Sequence, residues 1–461
     1  MPGLFTGNTT RVRLVAAVAT AALVVSACGG DSTDPTTTTV GDVTTSAPAE
    51  TTTSASAATT TSAPPSTTTS AIPPEEAERP DLLTFARGAI FVSQSGLASG
   101  GSQSAIEATD GDPTNVAVTT DDNDAVEFVF KLPANTVFDR FAIPDVLEQP
   151  GNATFYETVI VSGSAEGPDS GYVDLAVFEL VTHEASGEVT EIIPDIQEPV
   201  RWVKVHLEGG ILIEPGDEGR TNLRFSEIIG NGTQDAVPLV DTFDGIWSHR
   251  LTERLDLAGA ALELHQDGTT LTGCLDRIVI TGTVTGNIAR ATGIDTLDDR
   301  PSAYIFVADV DDGTIHSVVS VNQGAFKPYS EVDDPDVTST PCSEEPSEAP
   351  VCNAIVYINF DVNSAVIRTE SDPVLSDLYD RLLAEGIETV SIEGHTSTEG
   401  SDEYNLDLSE RRAQSVVDDL VSRGYDGTTS AVGKGESEPL LSPDNDESSR
   451  EINRRVEIVC G

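Results

Sequence analysis

The chain has 461 residues, which at roughly 100–200 residues per domain calls for two to four domains and argues against one core. Acids outnumber bases by 77 to 25, for a formal net charge of −52, with 38% hydrophobic and only 5% aromatic residues. That balance excludes nucleic acid and a bare anionic membrane surface as partners, because both need a dense basic stripe and the lysines, Lys131, Lys204, Lys327 and Lys434, are scattered.

Residues 14–25 (LVAAVATAALVV) form an apolar run behind Arg11 and Arg13, too short to span a bilayer stably, so residues 1–27 read as a secretory signal. The run ends in Val25-Ser26-Ala27-Cys28, which resembles the bacterial lipobox. The resemblance implies acylation of Cys28 and a lipoprotein held to a membrane of the bacterial cell envelope, facing the periplasm or the exterior. Residues 28–80 are almost all Thr, Ser, Ala and Pro, with nothing large to bury, and predict a disordered tether. Some 50 residues of such coil span about 40 Å.

Between 81 and 236 short alternating strands are expected at Ala125–Phe130, Phe138–Ile143, Thr158–Val161, Val173–Leu180, Trp202–Leu207 and Phe225–Ile229. Their Gly, Pro, Asp and Asn punctuation predicts an antiparallel β-sandwich. The order of the segments ATDGDP, AVEFVFKLP, VIVSGSAEG, RWVKVHL and RFSEIIG resembles the discoidin-like (galactose-binding-like) jelly roll. That resemblance implies a glycan or other ligand at one end of the sandwich and a structural calcium, with Asp110 and Asp112 as weak candidate donors; plain turn chemistry is the competing reading of Asp-Gly-Asp-Pro.

Residues 237–348 predict a second β unit, an antiparallel meander or small barrel, with strands at Ala261–His265, Thr270–Cys274, Ile278–Val284, Asn287–Thr292, Ala303–Val307 and Ile315–Val321. It loosely resembles small lipocalin-type barrels, and no ligand follows. With Cys28 set aside, Cys274, Cys342, Cys352 and Cys460 remain, an even number in an exported chain. Of the three pairings, Cys274 with Cys342 and Cys352 with Cys460 keeps each bridge inside one unit.

Residues 349–461 switch to an α/β pattern. A strand is expected at Asn353–Phe360, then a helix capped by Asp372 with Pro373 in its first turn and Val374, Leu375, Leu378 and Leu382 on one face. A strand at Thr389–Glu393, a second helix ending at Gly424, and strands at Ser430–Gly433 and Arg455–Val459 complete an α/β sandwich. If first and last strands are antiparallel neighbours, Cys352 and Cys460 meet at their ends. The segments INFDVNSAVI, IEGHTSTEGSDEYNLDLSERRAQSVVDDLVSRG, GKGESEP and NRRVEI resemble the OmpA C-terminal-like domain shared by OmpA, the peptidoglycan-associated lipoprotein and MotB.

This resemblance implies non-covalent binding of peptidoglycan through the stem-peptide diaminopimelate, whose end presents an ammonium beside a carboxylate. Such a group asks for one arginine and one acid. Arg412 matches the family arginine, and Asn405 its asparagine. The family aspartate is replaced by Ser397, a hydroxyl without charge. The ammonium is then met by Glu399 or Asp402, by Ser397 weakly, or not at all; Arg454 is expected in the groove or packing the last strand. The chain lacks a phosphate loop, HExxH, Gly-x-Ser-x-Gly and Ser-x-x-Lys, so it reads as a non-enzymatic envelope protein that links membrane, cell wall and β modules. The alternative is a glycan hydrolase or a glycan-binding adhesin with a degenerate C-terminal domain.

Overall fold

The computed structural model describes residues 79–461 apart from 97–100, 122–124, 145–152, 182, 184–187, 211–221, 256–257, 335 and 338–349. Cys28, the tether up to residue 78 and Cys342 lie outside the described residues.

The first β module contains strands β1 (Ile90–Ser95), β2 (Val118–Asp121), β3 (Val126–Pro144), β4 (Ala153–Ser164), β5 (Val173–Glu179), β6 (Val189–Ile192), β7 (Val200–Gly210), β8 (Asn222–Phe225) and β9 (Ile229–Gln234). They pair in the order β1-β3-β7-β4-β8-β2, with β5 on β4 and both β6 and β9 on β3. Phe128, Phe130, Phe141, Tyr156, Phe178 and Val205 fill one core. The segments expected as two strands, Ala125–Phe130 and Phe138–Ile143, are one, β3. Pro133 is tolerated inside it because the pairing with β7 slips between Lys131 and Thr136, where the missing N–H breaks no ladder bond.

The second module is a closed antiparallel barrel of β10 (Gly245–Leu251), β11 (Ala260–Asp267), β12 (Thr270–Leu275), β13 (Ile278–Thr285), β14 (Ile288–Asp295), β15 (Pro301–Ala308), β16 (Ile315–Val321) and β17 (Lys327–Val332). Two strands, β10 and β17, were not expected. Their sequences, GIWSHRL and KPYSEV, alternate weakly, yet their mutual pairing is what closes the barrel. Strand β15 is buried along nearly its whole length, on both faces. Tyr304 and Phe306 point into the barrel core, whereas Ile305 and Val307 pack outward against Phe85 and Ile106 of the first module and Tyr357 and Ile452 of the third. The unbroken apolar run SAYIFVA therefore marks a strand with no solvent face. Lys131 reinforces this joint through ion pairs to Asp309 at 2.6 Å and Asp311 at 2.8 Å.

The third module has a sheet ordered β18 (Ile355–Val356), β21 (Val456–Cys460), β19 (Thr389–His395) and β20 (Thr428–Gly435). Helices α2 (Asp372–Ala384), α3 (Asp402–Arg423) and α4 (Glu447–Asn453) accompany it; the short α1 (Ser102–Glu107) belongs to the first module. The strand expected at Asn353–Phe360 shrinks to two residues. Barrel threonines take over its backbone groups: Thr283 Oγ1 accepts from the Tyr357 N–H, and Thr285 Oγ1 donates to the Tyr357 carbonyl, both at 3.4 Å. Asp372 is the first helical residue of α2 and not its cap; Ser371 holds the cap position, its hydroxyl already accepting from the Asn359 N–H at 2.8 Å. β18 and β21 are antiparallel neighbours, and Cys352 and Cys460 are bonded across their ends with Cα atoms 5.4 Å apart. Cys274 is also disulfide-bonded.

Candidate functional site: an arginine-lined cleft

Helix α3 starts at Ser401, whose hydroxyl accepts from the Tyr404 N–H, and lays Leu408, Ala413, Val416 and Leu420 on the sheet. The approach is close: a Cβ on Gly394 would meet the Ser409 carbonyl oxygen at 2.3 Å, so glycine is required there. Ser409 is fully buried and its hydroxyl accepts from the Gly435 N–H at 2.9 Å. Locked this way, α3 carries Arg412 along the edge of the sheet into a cavity of about 530 Å³.

Arg412 is held but not neutralised. Its Nε donates to the Ser364 carbonyl at 3.0 Å and its guanidinium lies 5.0 Å from the centre of the Phe360 ring. Among the described residues it makes no ion pair. Burial, and then the neighbouring Arg454, lowers its pKa to about 10, which leaves it charged at neutral pH. A half-buried cation whose Nη donors meet no carboxylate suits an incoming one.

Ser397 is buried, accepting from Arg454 Nε at 3.3 Å and donating to Glu399 at 3.4 Å. Glu399 does reach the cleft, but its charge is engaged by Arg454 Nη2 at 2.6 Å and Arg450 Nε at 3.4 Å. Asp402 stays out: it is an exposed first-turn residue of α3 and does not line the cavity. Asn405 shapes the loop, its buried amide donating to the carbonyls of Ser397 at 3.2 Å and Glu399 at 2.9 Å and to Glu436 at 2.5 Å. Arg454 lines the groove and pairs with Glu447 at 2.8 Å and Glu451 at 3.1 Å. His395, at the end of β19, is buried and kept neutral, its pKa lowered to about 3 by burial and by Arg455.

The cavity has a wider wall than the sequence suggested. Arg87 comes from the first module, Arg290 from β14 of the barrel, and Arg450, Glu447 and Glu451 from α4. Eight arginines and five acids line it, an inversion of the 25 to 77 balance of the whole chain. A basic residue on an otherwise small and apolar strand, as in NIARAT, was the one available signal for Arg290.

Asp110 and Asp112 behave as turn residues. Asp112 accepts from the Thr114 N–H and hydroxyl, at 3.0 and 2.5 Å, and from the Asn115 amide, and Asp110 accepts from the Asp112 N–H at 2.9 Å. Burial and nearby acids push Asp110 up to about 8 and Glu227, which faces it, well above the carboxylate range. Among the described residues no group of three His, Cys, Asp or Glu side chains is placed to hold a metal.

Residues 359–454 match the model of the OmpA family. A stretch of 114 residues is 38% identical to outer membrane porin F of Pseudomonas aeruginosa, covering 24% of this chain and 32% of that protein. Another, of 132 residues, is 35% identical to outer membrane protein A of Bordetella avium, covering 27% of this chain and 66% of that protein. The chain thus spans between about a third and two thirds of these relatives. Among solved structures, the peptidoglycan-associated lipoprotein of Burkholderia pseudomallei is 30% identical over 23% of this chain and 89% of its own, with a TM-score of 0.21. A CBM32 module from a family 31 glycoside hydrolase of Clostridium perfringens aligns with 32% of this chain and 93% of its own at 11% identity and a TM-score of 0.25.

Proposed function

Taking residues 359–454 as an OmpA family domain, we propose that the chain is a bacterial envelope protein that holds peptidoglycan non-covalently in the cleft beside α3. It acts as a binding protein and not as an enzyme. Arg412 takes the carboxylate of the stem-peptide diaminopimelate; the ammonium beside it meets only the neutral Ser397 hydroxyl and a Glu399 already shared with two arginines. Ahead of the folded modules, the Thr-rich tether and a lipid on Cys28 join this anchor to a membrane. The observation that carries the reading is the half-buried guanidinium of Arg412, which lines the cleft and makes no ion pair among the described residues.

Co-sedimentation of the full chain with diaminopimelate-containing sacculi tests it. A charge-assisted fork contributes about 1.5–3 kcal/mol, so Arg412→Ala is expected to weaken pelleting at least tenfold. Ser397→Asp restores an acid for the ammonium and strengthens it. Wild type that stays in the supernatant, or Arg412→Ala that pellets like wild type, sinks the proposal.

A further inference from the structure

The deep end of the cleft is electrically incomplete. Glu451 is shared by Arg87 at 2.7 Å, Arg290 at 3.0 Å and Arg454 at 3.1 Å. Glu447 is shared by Arg450 at 3.0 Å, Arg454 at 2.8 Å and Arg87 at 3.4 Å. With Glu399, three carboxylates serve four guanidinium groups, and Arg412 beside Arg454 makes a fifth. The remaining arginines of the wall pair elsewhere: Arg79 with Asp139, Arg140 with Glu191, Arg455 with Glu457. Asp81, the one other acid here, spends an oxygen on the Leu83 and Gly230 N–H groups, and burial holds it at about 7. The junction therefore carries a surplus of between one and two positive charges in a chain of net charge −52.

A second observation points the same way. Arg290 is 2% exposed, and only its Nη2 is paired; Nε and Nη1 are buried without a hydrogen-bond partner, as are Nε of Arg87 and the hydroxyl of Tyr357, all on residues of the same wall. Buried donors left unmet carry an uncompensated desolvation cost, larger when charged, unless something accepts from them.

We propose that the three modules together build an oxyanion site at this junction, in which Arg290, Arg87 and Tyr357 donate to a phosphate or to paired carboxylates, next to but distinct from the Arg412 position. Each module contributes: Arg87 from the first, Arg290 from the barrel, Tyr357 and Arg454 from the third. A phosphate-bearing wall polymer and the carboxylate end of a stem peptide offer the same chemistry. The site stands whether or not Arg412 holds diaminopimelate.

Calorimetric titration of the full chain with inorganic phosphate and with succinate, in chloride buffer of constant ionic strength, tests it. Saturable binding of either is expected, and which one binds identifies the source. Arg290→Gln leaves Glu451 paired with Arg87 and Arg454 and should weaken binding at least tenfold. Tyr357→Phe, which keeps the ring in its core, should weaken it severalfold and carries the test if Arg290→Gln does not fold. Arg277→Gln, on the far side of the barrel hairpin, should bind like wild type. Absence of saturable binding of both anions, or wild-type binding by Tyr357→Phe and any folded Arg290→Gln, overturns the proposal. Sacculus pelleting is scored separately: its loss alone leaves this site intact.

Discussion

Arg412 and Arg290 line one cavity but arrive there by different routes. Arg412 rides on a single 22-residue helix whose cap, apolar stripe and glycine approach are all written within one stretch of chain. Arg290 sits on the outer face of a barrel strand and finds Glu451 some 160 residues further along, only because three modules meet at β15. One end of the cleft is specified locally and the other by assembly. The two should answer differently to damage.

The largest effect is expected from Cys352→Ser with Cys460→Ser. The bridge closes a loop with a sequence separation of 108 residues around the third module, and a loop near 100 residues is worth about 4–5 kcal/mol in the chain-entropy account. Urea unfolding followed at the third module should show that loss, with the first module's transition unmoved. An unchanged midpoint means that the neighbouring modules, and not the bridge, hold the locally specified end.

Ile305→Ala strikes the assembled end. Ile305 is fully buried on the outward face of β15, and truncating such a side chain costs about 2–4 kcal/mol. Hydrogen exchange should quicken at the amides of α4, which carries Glu447 and Glu451, while α3 stays protected. Equal loosening of both helices would erase the distinction between the two ends.

The same division decides what could be read from the chain alone. Helix α3 and its Gly424 stop follow from periodicity and caps over short stretches, and the Cys352–Cys460 staple from keeping each bridge inside one unit. Closure of the barrel does not, because β10 and β17 are half-exposed strands with polar interruptions and find each other across the whole unit. The shortening of the Asn353–Phe360 strand was equally hidden, since its partners are threonines from another module. At the site, Arg412, Asn405 and Arg454 were legible through the family pattern. That Glu399 would be shared with Arg450 and Arg454 was not, because Glu399 sits in the loop before α3 and Arg450 lies 51 positions away, on α4.

A smaller effect is expected from pH. Asp110, raised to about 8, and Asp81, raised to about 7, bind protons on folding that the unfolded chain releases near pH 4, and Glu227 is raised with them. Asp110 is faced by Glu227, Asp112 and Asp446; Asp81 by Glu447 and Arg87. Stability then falls as pH rises, by up to about 1.4 kcal/mol per unit per group, until the folded pKa is passed. His395, lowered to about 3, and His316, also lowered, act in the opposite sense, but only below about pH 6.5. Between pH 6.5 and 8 the acids act alone, so Asp110 and Asp81 together should lower the unfolding free energy by about 2–3 kcal/mol, and Asp110→Asn should flatten that slope. A slope that Asp110→Asn leaves untouched would move the proton uptake away from this junction.

Asp402→Ala should change least, and for that reason it tests the local end most sharply. Asp402 lies in the first turn of α3, exposed, where an acid gains about 0.3–1 kcal/mol from the helix dipole, with screening keeping it near the lower figure. Sacculus pelleting should be unchanged, because the side chain does not line the cleft. If Asp402→Ala instead matches the loss seen with Arg412→Ala, the ammonium is held at the lip of the helix, and the bound stem peptide lies outside the cavity, away from Arg454 and Arg290.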